Sequence, residues 1–356
     1  MNGRLATLLF IAVLGACGES PTAPGSPSPA PTVSPTDEVG PGGMTLDEEV
    51  GAVMMVGFQG PPTAAILADW KRRQFGGLLI VNLNHNATTA AGMSAVIQQI
   101  RDVSRHRLIA ATDQEGGQVC IALSSVPCAA MPVGRSQTTA MANALRAVGF
   151  DLDLGPVSDV CSGPASIMWG RCYGTAPGPV ASSVGAVVDG IHDADMLSAA
   201  KHFPGHGDTS ISSETRLPRI DESLATLRTR DFPPFQAAIV HATDFVLLGH
   251  LYYPAIDAHR SSDLSPATVM LLRSDLGFQG AILSDDMEMG AITASTPTPE
   301  AAVEFLIAGG DMVMVAHHIS VADATYVAIK QAVLSRRLPR ARLDEAVVRL
   351  QALPGG

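Results

Sequence analysis

The sequence predicts an α/β fold, a single (β/α)8 barrel of the TIM type over residues 44–356. Three observations predict it. Short apolar runs lack polar alternation, which suits parallel strands covered on both faces. The runs alternate with helix-patterned stretches. Polar residues recur just after the runs, where a barrel gathers its functional face. The alternative is a doubly wound open sheet, in which those residues would spread along an edge.

The elements follow in order. Strands are expected at 77–81 (Gly-Leu-Leu-Ile-Val), 108–112 (Leu-Ile-Ala-Ala-Thr), 150–157, 197–201, 245–248, 281–284 and 312–315. Helical periodicity occupies 88–103, 140–148, 180–192, 266–274, 299–308 and 322–335 between them. The polar residues at the strand ends are Asn82 and Asn84, Asp113 and Glu115, Asp159, Lys201 and His202, His250, and Asp285 and Asp286. No GxGxxG follows an early strand and no GxxxxGK[ST] occurs, so a nucleotide site is not expected.

The first 43 residues do not belong to this pattern. Residues 1–17 read as an export signal, with Arg4 as the positive end and 5–14 as an apolar stretch too short to span a bilayer. Leu14-Gly15-Ala16-Cys17 resembles a lipobox, which makes Cys17 a candidate lipidation site. That implies an exported protein, lipid-anchored on the periplasmic or extracellular face of a bacterial membrane. Residues 18–43 carry seven of the 25 prolines and no Lys or Arg, and read as an extended linker. The rest can form a sizeable core, since 46% of the chain is hydrophobic and 16% charged. A net charge of −11 without a basic cluster argues against a nucleic-acid partner. A monomer is expected. Cys120, Cys128, Cys161 and Cys172 are candidates for disulfides, which export permits. Four cysteines allow three pairings; the nearest in sequence are 120 with 128 and 161 with 172.

Two segments concentrate chemistry. Lys201-His202-Phe203-Pro204-Gly205-His206-Gly207 follows an apolar run, as a strand end opening into a polar loop. Ser284-Asp285-Asp286 places two carboxylates at another strand end. Because successive strand side chains face opposite ways, one can face the barrel mouth while the other turns to the wall. Asp285 is the candidate for substrate, and Asp286, like His206, for loop structure. Asp113-Gln114-Glu115-Gly116-Gly117 offers a carboxylate suited to sugar hydroxyls. Arg171, beside Trp169 and Tyr173, offers planar directed donors, or pairs with a structural carboxylate. The spacing of His202 and His206 on a Pro-Gly loop is not the helical HExxH arrangement, so neither metal nor cofactor is expected.

These motifs in order (ATDQEGGQV, GFDLDLGPVSDV, RCYG, KHFPGHG, LLGHLYYPAID, LSPATVMLLRSDLGFQGAILSDDMEMGAI and AGGDMVMV) resemble glycoside hydrolase family three, specifically bacterial β-N-acetylglucosaminidases. The resemblance spans most of residues 45–316. It implies a (β/α)8-type barrel and a retaining mechanism with Asp285 as nucleophile. It also implies that Asp113, Arg171, Lys201 and His202 hold the sugar. The carbohydrate would be a β-linked amino sugar, such as cell-wall fragments supply.

Two departures stand out. Where this branch carries Asp-Ser-His, whose His is the acid/base, the chain has Ser212-Ser213-Glu214. Glu214 is then the candidate acid/base, since a retaining glycosidase needs a group to protonate the leaving oxygen. The other outcome is a catalytically impaired sugar-binding lipoprotein. The arginines that usually follow DQEGG are replaced by Gln118-Val119-Cys120-Ile121, which leaves open a β-glucosidase-like enzyme with altered sugar preference.

Overall fold

A computed structural model describes residues 39–355. Eight parallel strands close into a barrel in sequence order, with the last pairing to the first. They are β1 (Met54–Val56), β2 (Gly77–Leu79), β3 (Ile109–Thr112), β4 (Leu152–Asp153), β5 (Leu197–Phe203), β6 (Phe245–Leu248), β7 (Ala281–Asp286) and β8 (Met312–Val315). Helices on the outer face connect them. The barrel is therefore the fold, and the open-sheet alternative is excluded by the β1–β8 pairing.

Three differences from the sequence reading have physical reasons. β1 is not among the expected strands, because three residues between a helix end and Gly57 give no usable period. The ladder of β4 covers two residues rather than 150–157, since Pro156 has no N–H to donate. Its neighbours still follow β5: Gly155 O accepts from Ala199 N (2.8 Å) and Pro156 O from Lys201 N (3.0 Å). Helices at Ala64–Arg73 and Arg340–Gln351 are additional to those expected, because their charged faces obscure the apolar stripe. The signal and most of the linker lie outside the described residues; Pro41–Gly43 forms a 3-10 turn.

The N-terminal end of the barrel follows a rule of its own. Asp151, Asp244 and Asp311 each stand one residue before an even strand, β4, β6 or β8. Each carboxylate accepts the N–H of the second residue of the preceding odd strand: Asp151 from Ala110, Asp244 from Ser198 and Asp311 from Ile282, all at 2.9 Å. Basic side chains lie against each one. Arg101 and Arg146 pair with Asp151, His192 contacts Asp244, and Arg273, Arg342 and Arg349 surround Asp311. These pairs tie the bottom of the barrel, leaving the strand C-termini for chemistry.

Candidate active site

At the C-terminal face a cavity of about 230 Å³ is lined by Asp113, Arg171, Lys201, His202, His206, Glu214 and Asp285. Leu154, Leu247 and Met314, on or beside β4, β6 and β8, also line it. Every residue assigned to catalysis or sugar binding thus lies around one space. A cavity of about 180 Å³ at the opposite end, lined by Met44, Ile109, Met312 and Val347 among others, has no carboxylate in its wall among the described residues.

The two cations that line the cavity are fixed from below. Lys201 Nζ, buried at the end of β5, contacts Asp113 Oδ1 and Glu115 Oε1, the latter at 2.7 Å. Arg171 binds Glu115 with both ends of its fork, Nε to Oε2 at 2.8 Å and Nη2 to Oε1 at 2.6 Å. Burial pushes the Glu115 carboxyl up, but Lys201 and Arg171 pull it down to about 2. Burial opposes the charge on Lys201, yet Asp113 and Glu115 hold its pKa above the ordinary value. Glu115 is therefore an ionised hub beneath two donors. Its substitution by Gln should lower kcat/KM by about tenfold or more, mainly through KM, as measured by steady-state kinetics.

His202 and His206 sit close together but have different partners. His202 Nδ1 lies 2.8 Å from Asp159 Oδ2, while the backbone N–H groups of His202 and His206 donate to Asp159 Oδ1 at 3.2 and 2.6 Å. Burial opposes the charge on Asp159, but His202 above all holds its pKa low. An ionised carboxylate only accepts, so Nδ1 carries the proton and Nε2 is left for the cavity. Gly207 closes the same loop: a side chain there would stand 1.9 Å from Val160 O. His206 is pushed down to about 4 by burial and by His202, and its Nε2 meets Ser213 Oγ at 3.1 Å.

That contact anchors the loop carrying Glu214. Gly290 N donates to Glu214 O at 2.9 Å and Ala291 N to Ser213 O at 3.0 Å. A Cβ on Gly290 would stand 2.8 Å from Glu214 O, so glycine is required for this approach. Gly290 and Ala291 follow the strand that bears Asp285, so one connection fixes both carboxylates. Glu214 stands on the rim of the cavity; loss of solvent on its cavity side first, and then Asp285, push its pKa up. Asp285 goes the other way. Burial would raise it, but His202 and His250 hold it below 3.8, with Asp286 N donating to its Oδ1 at 2.9 Å.

His250 is fully buried. Its Nδ1 lies 3.1 Å from Asp263 Oδ2 and its Nε2 2.8 Å from Asp286 O. Burial disfavours its charge, but Asp263 first and Asp285 after it raise its pKa to about 9. The imidazolium is thus a fixed positive charge behind Asp285. Asp286 turns to the wall, accepting from Glu288 N (3.1 Å) and Ala316 N (3.0 Å), and burial pushes it up to about 7. Disulfides join Cys120 to Cys128 and Cys161 to Cys172, with Cα separations of 5.9 and 6.1 Å. The second closes the loop that presents Arg171. Among the described residues no group of three or more His, Cys, Asp or Glu is arranged to hold a metal. Cys17 lies outside the described residues.

Sequence reasoning gave no role to Glu115, Asp159, His250 or Asp263. The first three were visible as strand-end polar residues. Asp263 had no signal, since its partner is known only once the loop after β6 is folded.

A parallel barrel with three carboxylates, Asp113, Glu214 and Asp285, and a cluster of directed donors at its C-terminal mouth has the make-up of a barrel that handles a hydroxyl-rich substrate. The sequence model of the glycosyl hydrolase family 3 N-terminal domain matches residues 45–353, and the chain belongs to glycoside hydrolase family 3. It is 32% identical over 254 residues to a protein named beta-hexosaminidase from Methylococcus capsulatus, covering 67% of this chain and 75% of that one. A beta-hexosaminidase from Stenotrophomonas maltophilia is 30% identical over 295 residues, covering 77% and 86%. Among solved structures, the family 3 β-N-acetylglucosaminidase from Paenibacillus sp. superposes with a TM-score of 0.83 at 29% identity, over 87% of this chain and 62% of that one. The β-N-acetylhexosaminidase from Beutenbergia cavernae gives 0.80 at 25% identity, over 87% and 98%.

Proposed function

We propose that this glycoside hydrolase is a retaining, exo-acting β-N-acetylhexosaminidase for terminal β-linked N-acetylhexosamine, with cell-wall fragments as its substrate class. Asp285 attacks the anomeric carbon as the glycosidic bond breaks, and Glu214 gives its proton to the leaving oxygen. In the second half Glu214 takes a proton from water, whose oxygen displaces Asp285 from the anomeric carbon. Asp113, Arg171, Lys201 and His202 hold the ring hydroxyls. The observation that carries this reading is geometric: Asp285 on β7 and Glu214, on a loop tied to the segment after β7 through Gly290 and Ala291, line one cavity. The directions, Asp285 down and Glu214 up, support the nucleophile role for the first and the acid role for the second. The relatives' names point to the same sugar class.

The test is an aryl-glycoside screen of parent and Glu214→Gln across pH. Asp285 lies below 3.8, so the acid limb of kcat/KM falls below about pH 4; Glu214 lies above 4.5 and sets the alkaline limb. The substitution should remove the alkaline limb. It should also cost about 10²–10⁴-fold on substrates with poor leaving groups, and less on nitrophenyl glycosides. Equal rates on poor leaving groups would sink the acid/base assignment. A parent inert on every glycoside would leave a sugar-binding protein.

The same proposal places the barrel outside the cytoplasm on a lipid attached at Cys17. The two disulfides support an oxidising compartment. Among the described residues no helix is long and apolar enough to cross a membrane. Cys17→Ser should move the protein from the membrane to the soluble fraction.

A further inference from the structure

We propose that Ser213 and His206, with Ser212 in support, are positioning residues for the acid. Together they hold Glu214 in place relative to both the sugar-binding imidazole and the nucleophile. This deepens the glycosidase reading above and rests on it.

Glu214 sits in a turn built on Ser212. The Ser212 carbonyl accepts from Thr215 N and Arg216 N, both at 3.2 Å, and from Thr215 Oγ1 at 3.1 Å. The Ser212 hydroxyl accepts from Glu214 N at 3.3 Å. A serine hydroxyl bonded to the N–H two residues on fixes a turn without help from a helix or strand. The Glu214 carbonyl is also occupied, by Gly290 N at 2.9 Å. Both backbone groups of Glu214 are thus committed, and its carboxyl is left to address the cavity that Ser212 and Ser213 also line.

Ser213 ties that turn to two parts of the barrel. It is buried, its Oγ meets His206 Nε2 at 3.1 Å, and its carbonyl accepts from Ala291 N at 3.0 Å. His206 follows β5, the strand that carries Lys201 and His202. Gly290 and Ala291 follow β7, which carries Asp285. The acid is therefore suspended between the strand that holds sugar and the strand that attacks it. The bonds from Gly290 and Ala291 already keep the loop backbone against β7. What the Ser213 hydroxyl adds is the second point of support, on the sugar side.

That second support is itself rigid. His206 N donates to Asp159 Oδ1 at 2.6 Å, and Asp159 Oδ2 lies 2.8 Å from His202 Nδ1. The two imidazoles meet edge to face, with centroids 5.7 Å apart and planes at 80°. Ser162 N donates to Gly207 O at 3.0 Å and closes the loop beyond. One buried carboxylate, Asp159, thus sets both the imidazole that meets the sugar and the one that mounts the acid. Because His206 is pushed down to about 4, against Asp159 and Asp285, it is neutral where Glu214 acts, and the mount does not titrate with the acid. Such fixing matters because a displacement of about 1 Å at a reacting group can cost about 10²-fold in rate.

The test is kcat/KM on aryl N-acetyl-β-glucosaminides whose leaving group runs from dinitrophenol, which needs no proton, to unsubstituted phenol, which does. Ser213→Ala should lose about tenfold on the phenyl glycoside and less than about twofold on the dinitrophenyl one, with an unchanged unfolding midpoint. Added to Glu214→Gln, the same substitution should cost less than about twofold on the phenyl glycoside, because the group it positions is gone. His206→Gln, which can keep a nitrogen on the Ser213 hydroxyl, should depend less on the leaving group than His206→Leu. A merely structural serine would lower every substrate alike. Equal loss across the series, no loss, or the same loss with and without Glu214 overturns the proposal. A Glu214→Gln series parallel to the parent, or a parent inert on every glycoside, overturns the acid reading and the mount with it. Leaving-group dependence in Glu214→Gln with none in Ser213→Ala overturns the mount alone.

Discussion

Asp285→Asn is expected to lower kcat on an aryl N-acetyl-β-glucosaminide by about 10⁴-fold or more, equivalent to roughly 5 kcal/mol of lost transition-state stabilisation. Asparagine has nearly the same shape but cannot form the glycosyl ester. The surrounding charges make the change selective. His250, raised to about 9, and His202 are arranged around an anion at position 285. The amide leaves that positive field without its counter-charge, while Lys201, Arg171 and Glu115 stay joined. Sugar binding should therefore survive, with Kd by calorimetry within about threefold of the parent. A slow substrate bearing fluorine beside the anomeric carbon should add one sugar mass to the parent and none to the variant. Turnover equal to the parent, or labelling that persists in the variant, would falsify the nucleophile assignment.

How much of this was legible in the sequence depends on how local each signal is. The barrel was legible because a parallel strand buried on both faces reads as a continuous apolar run, as at Ala281-Ile282-Leu283. β1 was not, because three residues cannot establish a run, and β4 was read too long because the apolar stretch of 150–157 continues past its two-residue ladder. Asp285, Lys201 and His202 were legible because strand ends converge on one face of a barrel. Glu115 looked like Asp113 in the same motif. Only folding shows that Arg171, 56 residues away, occupies its carboxylate. The anchoring of Glu214 depends on Gly290 approaching its backbone, a contact no local pattern encodes.

The largest effect on stability is expected at the other end of the barrel. Asp311 is fully buried and meets three guanidinium groups: Arg273 at 2.7 Å, Arg342 at 2.8 Å and Arg349 at 3.0 Å. Its Oδ2 also takes the N–H of Ile282, so one carboxylate is the shared counter-charge of the three cations and caps β7. Burial has already pushed Arg273 down to about 10 against the pull of Asp311. Asp311→Ala leaves three cations repelling one another around an unpaired N–H. Removing one partner of a buried ion pair costs about 3–5 kcal/mol, which lowers Tm by roughly 6–15 °C for a domain of this size. The site lies beyond the opposite end of the strands, so kcat/KM measured well below the transition should not change. Adding Arg349→Ala should return part of the loss, because the repulsion falls when the charge against Asp311 is reduced. A single variant within about 1 kcal/mol of the parent by calorimetric unfolding, or a double variant that adds the two losses in full, would show that the cluster does not hold the base of the barrel.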